Sequence, residues 1–320
     1  MIRYPDLTAV PTVHPAQALR VPPLVARWLV VAAVIAVLVL VLIEHRVPDA
    51  GLWLLLALST TAGFAHGALD IDILLQRFRP LPYAIGVALL YAAVVVLVAW
   101  ALHAQPQVTL WLLLLLSSWH FGEDFGRWPG ISVLDGWLTR VVVGGASVML
   151  PLVVSPDAMG HLVAEVWPDG AALTGWVWLT RGWLLLLMVW LVRCGLRNAR
   201  LLRGAWAELA GALLLNVVFS PVMAFAIYFG MYHAPLHIWR VWGSRPAAPG
   251  PARQTGWAIV FAITLGLGAA LWWALGRSSP MSFEPAFALR WLVLALTALT
   301  VPHLVLISVH AGVLATRRSS

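Results

Sequence analysis

Tyr228-Phe229-Gly230-Met231-Tyr232-His233-Ala234-Pro235-Leu236-His237-Ile238-Trp239-Arg240 carries two imidazoles four residues apart. On a helix of about 3.6 residues per turn this spacing leaves them within roughly 40° of each other, so both can reach one metal ion. The residues before His233 are apolar enough to lie in a bilayer. A titratable pair is costly there and reads as a functional site. Taken alone, the pair also fits an interhelical hydrogen bond or a place at the headgroup level. Three further histidines in similar settings favour the metal.

The first of these lies in Gly63-Phe64-Ala65-His66-Gly67-Ala68-Leu69-Asp70. Its glycines admit a close neighbouring helix. Asp70, four residues on and on the same face, is placed either to accept the free ring N–H of a ligating His66 and fix its tautomer or to sit among headgroups. The second is Ser117-Ser118-Trp119-His120-Phe121-Gly122-Glu123-Asp124, where Glu123 and Asp124 fit a solvated helix end and Glu123 is also close enough to orient the ring. The third is Val301-Pro302-His303, in which His303 is open to three roles: a fifth ligand, a group that orients a ligand, or an interhelical hydrogen bond. Neutral imidazoles without thiolate suit iron, copper, nickel or zinc, and imidazole alone does not choose among them. His14, His45, His103, His161 and His310 fall in the arm, in loops or near the chain end and receive no role. Phosphate-binding glycine loops, a dinucleotide fingerprint and a zinc-protease helix pair are absent from the sequence.

The elements that must position these rings are membrane helices. Of 320 residues, 62% are hydrophobic and 10% charged, with a mean hydropathy of +0.89, far from the balance of soluble domains. The net charge of +7 comes from 20 arginines with no lysine. In such a chain that excess reports topology and anionic lipid, and it points to no nucleic-acid partner. With about 20 apolar residues per crossing as the yardstick, spans fall near 24–43, 50–71, 82–102, 107–125, 133–154, 175–193, 204–220, 222–242, 255–275 and 286–313. Residues 1–23 form a polar arm with five prolines, 24–313 one transmembrane helical domain, and 314–320 a C-terminal tail.

Ser220-Pro221 splits the region 204–242, because proline disfavours helix in the residue before it. Ten spans with both termini cytoplasmic then leave only Arg46, Arg181, Arg277 and Arg290 outside, as the positive-inside rule requires. Every connection is short, and the longest, around 155–174, faces outward. The expected architecture is an all-α, polytopic bundle in the cell (inner) membrane. In that topology the second, fourth, eighth and tenth spans run the same way and carry His66, His120, His233 with His237, and His303. Each histidine lies past the middle of its span, at the common depth that one metal centre between helices demands.

The ordered set H-G-x-x-D (His66 to Asp70), H-F-G (His120 to Gly122), H-x-x-x-H (His233 to His237) and a late P-H (Pro302-His303) resembles the Brp/Blh family of integral-membrane β-carotene 15,15′-dioxygenases. The likeness spans roughly residues 60–310. One departure is Ala65, where the family carries proline before its first motif histidine. The resemblance implies a non-haem ferrous ion, Fe(2+), held by His66, His120, His233 and His237. It implies molecular oxygen as co-substrate, central cleavage of β-carotene to two molecules of retinal, and hand-over of retinal to a rhodopsin.

A long polyene enters sideways from lipid and needs an apolar, aromatic tunnel. Phe64, Trp119, Phe121, Tyr228, Phe229, Tyr232 and Trp239 lie beside the motif histidines and are the candidate walls. Competing readings are cleavage of another carotenoid, a two-iron desaturase or hydroxylase, a b-type haem electron carrier, and a metal or proton transporter. The chain has no adjacent His-His pair and too few suitably placed histidines for two irons.

Overall fold

In lipid a backbone has no water to bond, so apolar runs of this length satisfy their amides internally as helices. The computed structural model describes residues 23–63, 66–67, 70, 74, 81–123, 131–166, 175–197, 199–243 and 285–319. Among these residues every regular element is helical. In chain order they are α1 (Pro23–Arg46), α2 (Ala50–Leu58), α3 (Leu81–Ala104), α4 (Pro106–Phe121) and α5 (Val133–Val154). Then come α6 (Pro156–Val166), α7 (Trp176–Arg197), α8 (Ala199–Val218), α9 (Pro221–Ala226), α10 (Ala234–Gly243) and α11 (Pro285–Ser319). Pro82–Leu102, Val133–Val154 and Trp176–Arg197 are long and apolar enough to cross a membrane.

Two π-helical stretches interrupt the α pattern. Ser59–Gly63 comes after α2, and Ile227–His233 joins α9 to α10. Each leads into a histidine motif, and its widened turn rotates the next residues relative to an unbroken α-helix. The two stretches lie against each other. A Cβ on Gly63 would stand 3.2 Å from the Phe229 ring. Gly67, by contrast, meets nothing within 4 Å among the described residues.

The proline break is present. α8 ends at Val218, and Ser220 caps the next helix by accepting from the Met223 amide at 3.4 Å. Pro221 sits at the first helical position, where its missing N–H is no loss. Two other expectations need amendment. The connection 155–174 is not simply a loop, because Pro156–Val166 folds as α6. Its apolar residues fall on one side, so Met159 packs on the α5 core and Leu162 on Leu52 and Leu289. The tail 314–320 continues α11 to Ser319, since no glycine or proline stops the helix after Gly312. The span expected at 255–275 and residues 1–22 of the arm lie outside the described residues.

The largest core joins α5, α7 and α8. Val142, Val143, Ala146 and Met149 of α5 bury against Trp183, Trp190 and Cys194 of α7 and Ala205, Leu209 and Ala212 of α8. Indole donors tie it together: Trp190 Nε1 to Thr139 Oγ1 at 2.8 Å and Trp183 Nε1 to the Val142 carbonyl at 3.2 Å. α4 lies on α5 with backbones in contact. A Cβ at Gly122 would strike the Arg140 carbonyl, and one at Gly144 the Ser118 carbonyl and the Gly122 amide. On the other side α3 packs on α11 through a small cluster of Leu74, Leu306 and Ile307 with Val87 and Tyr91.

Candidate metal centre

Five histidines from separated stretches of chain converge. His66 comes after the first π-helical stretch, and His120 is the penultimate residue of α4. His233 ends the second π-helical stretch, His237 lies on α10 and His303 on α11. The His66 ring is the hub, 4.2 Å from His237, 4.6 Å from His303, 5.5 Å from His233 and 6.0 Å from His120, centroid to centroid. His66, His120, His233 and His303 are buried.

The ring nitrogens face inward. His66 Nε2 and His303 Nε2 stand 3.0 Å apart, and His233 Nε2 and His120 Nε2 3.3 Å apart. Two imidazoles each about 2.1 Å from one ion have nitrogens ~3.0 Å apart at a right angle and ~3.4 Å apart at the tetrahedral angle. The observed separations therefore fit shared coordination. His66, His120 and His303 each offer a ligand nitrogen, all within 4.8 Å of one another. His237 Nε2 is buried with no hydrogen-bond partner among the described residues, a costly state that an ion would relieve. This all-nitrogen donor set suits a first-row transition metal better than calcium or magnesium.

Asp70 is almost fully buried and accepts from His303 Nδ1 at 2.8 and 2.9 Å on its two oxygens. Its Oδ2 also accepts from the Tyr91 hydroxyl at 2.9 Å. Of the two places the sequence leaves open to Asp70, orienting His66 or sitting among headgroups, it takes neither, because its carboxylate is buried against the ring that α11 brings to it. His66 Nδ1 has no hydrogen-bond partner among the described residues, and neither has His120 Nδ1. His303, which the sequence left open to three roles, lies inside the cluster and carries the carboxylate.

Glu123 makes its ion pair with Arg140 Nη2 at 3.9 Å. Arg140 also donates from Nε to the Trp119 carbonyl at 2.7 Å and lies 3.7 Å over the Trp119 ring. That indole packs edge-on to Trp137 at 4.8 Å, so α5 engages it. Phe121, Tyr228 and Phe229 border the imidazoles. Phe121 is 4.6 Å from His233, Tyr228 is 6.3 Å from His233, and Phe229 is 6.4 Å from His66. Tyr232 is exposed and donates to Glu208 at 2.5 Å. Phe64 and the side chain of Trp239 lie outside the described residues.

Sequence reasoning missed Tyr91, Phe225 and Arg140. Phe225 stacks on Phe229 at 5.7 Å. For Tyr91 a signal existed: between residues 84 and 99 it is the one side chain able to form a hydrogen bond. A hydroxyl in the middle of an otherwise aliphatic span calls for a partner.

The sequence family described as beta-carotene 15,15′-dioxygenase matches residues 57–310, a stretch that contains all five histidines. A protein of that name from an uncultured marine bacterium, 66A03, is 28% identical over 270 residues, covering 80% of this chain and 92% of the relative. No solved structure matches.

Proposed function

Because this chain belongs to the β-carotene 15,15′-dioxygenase family of carotenoid-cleaving enzymes, we propose that it splits β-carotene at its central double bond, using molecular oxygen at a single ferrous ion. One oxygen atom of O2 goes to each carbon of the broken bond, so two retinal molecules leave and no external reductant is needed. His66, His120, His233 and His237 are the proposed ligands. The observation that carries the reading is the convergence of inward-facing ring nitrogens within the stretch that matches the family.

Iron held by these residues would supply redox-active Lewis-acid chemistry. The rest is work for the chain's own residues. The imidazoles, neutral and fixed by packing, hold the ion at one depth. Phe121, Tyr228 and Phe229 give the adjoining space apolar walls, which favour a polyene over water and align it with the metal. Phe64, Trp119, Tyr232 and Trp239 remain further proposed substrate contacts.

Outside the cluster, the aliphatic face of α3, with Leu89, Leu90, Val96 and Leu97 exposed, suits lipid and a substrate dissolved in it. Ten spans with cytoplasmic termini, residence in the cell membrane, and delivery of retinal to a rhodopsin complete the proposal.

Among the competing readings, haem is opposed by crowding. Among the described residues, the five rings pack centroid to centroid at 4.2 to 6.2 Å, too close to one another for a macrocycle to lie between them. A two-iron desaturase centre would want carboxylates or further histidines between two ions. The reading is tested by expression in cells that accumulate β-carotene, with pigment loss measured and retinal sought by chromatography. Retained pigment sinks the activity, and products of unequal length sink central cleavage. Metal analysis of the purified chain should give one iron; two would favour the desaturase class.

A further inference from the structure

We propose that Tyr91 is a positioning residue of the metal centre, and that it acts through Asp70 on His303, whose Nε2 is a further ligand to the ion. The inference rests on the metal reading above and adds to its ligand set. His303 Nδ1 is bonded by both Asp70 oxygens, at 2.8 and 2.9 Å. With Nδ1 carrying the proton, Nε2 holds the lone pair and points at His66 Nε2, 3.0 Å away. A carboxylate on the far nitrogen is the usual device for fixing the tautomer and angle of a metal-bound imidazole. Among the described residues, His66 Nδ1 and His120 Nδ1 have no such partner.

The depth of the acid makes the same point from a different direction. Tyr91 lies near the middle of α3, a helix long and apolar enough to cross a membrane. A carboxylate touching it at 2.9 Å is therefore far from either surface. Asp70 is 2% exposed, and an acidic side chain placed at such depth is costly and marks a functional position.

The hydroxyl of Tyr91 sets where the carboxylate sits. Its ring meanwhile packs with Leu74, Leu306 and Ile307, so the residue has a structural part and a positioning part that substitution can separate. Tyr91→Phe keeps the ring and removes the hydroxyl, whereas Tyr91→Leu removes both. The full-length protein in detergent is stripped of metal and titrated with Fe(II) and with Co(II), whose electronic spectrum reports ligand geometry.

Tyr91→Phe is expected to unfold like the wild type yet bind either ion about tenfold more weakly, with shifted cobalt bands. Asp70→Asn is expected to lose about a hundredfold, both figures spanning the usual range for such outer partners. Wild-type affinity and an unchanged cobalt spectrum in Tyr91→Phe overturn the proposal, even if Tyr91→Leu is impaired, because the residue is then only packing. A wild-type chain that binds neither ion removes the metal reading itself. One that binds normally while Tyr91→Phe is silent removes only this inference.

Discussion

His120 rides on α4, which α5 grips backbone to backbone; His303 rides on α11 and is gripped through its ring. On the α4–α5 side, Gly122 and Gly144 let main chains touch, and Arg140 reaches across to the Trp119 carbonyl beside His120. The ring's own Nδ1 has no hydrogen-bond partner among the described residues. On the α3–α11 side the apolar cluster is small, and Asp70 and Tyr91 supply direction instead. In lipid, apolar contact gives little net drive, so helices are held by close packing or by polar contacts. One cluster uses both, and each has its own way to fail.

The largest expected effect comes from removing rings from either side. Alanine at His66, His120, His233 or His237 should abolish iron retention and retinal formation together. His303→Ala should do so as completely, and it also leaves the buried Asp70 without its ring donor. Metal content per chain and retinal yield, measured on the same preparations, check this. Full iron and activity in any one variant would take that ring out of the ligand set.

Next in size is a single methyl on the packed side. At Gly144 it would run into the Ser118 carbonyl and the Gly122 amide, and backbone cannot swing aside as a flexible side chain does. Gly144→Ala should cost about 1–3 kcal/mol of stability, the usual range for overpacking. By moving α4 it should also lower iron content. Gly182 on α7 has open space at its Cβ among the described residues. Gly182→Ala should be neutral or raise stability by about 1 kcal/mol, through helix propensity alone. Equal unfolding temperatures for the two variants would show that the α4–α5 contact is looser than described.

How much of this was legible beforehand depends on the kind of contact. The helical class, the break at Ser220-Pro221 and the candidate status of His66, His120, His233 and His237 come from hydropathy, proline chemistry and the cost of titratable groups in lipid. These are properties a residue carries with it. Spacing along its own helix pairs Asp70 with His66, whereas its true partner arrives from residue 303, a contact no local spacing displays. The π-helical stretches, one before His66 and one ending at His233, have no sequence mark comparable to proline. The α6 helix escapes a search by apolar run length, because its apolar residues are spaced to cover one side only.

Arg140→Met would sharpen the comparison at intermediate size. Methionine keeps the aliphatic stem and removes the donor to the Trp119 carbonyl, the cation over the indole and the pair with Glu123. A charged hydrogen bond and a cation–π contact of this kind together contribute about 1–3 kcal/mol. The α4 end would loosen beside His120, and iron should dissociate faster with chelator while saturation stays at one per chain. A dissociation rate equal to wild type would show that the Arg140 contacts do not hold the α4 end beside His120.

The smallest expected difference is between two buried threonines, and it isolates hydrogen bonding from packing. Thr139 accepts from Trp190 Nε1 at 2.8 Å while donating to the Asp135 carbonyl, so Thr139→Val leaves a buried indole N–H without its acceptor. Thr297 on α11 donates to the Val293 carbonyl, the ordinary back-bond of a helical threonine. Thr297→Val therefore strands nothing. Valine matches threonine in shape, so neither change opens a cavity. The first should cost about 1–2 kcal/mol and the second under about 0.5 kcal/mol, with iron content unchanged in both. If thermal unfolding in detergent shows the reverse order, α11 depends on directed bonds deeper than its contact with Asp70, and the packed side depends on them less than its buried indoles imply.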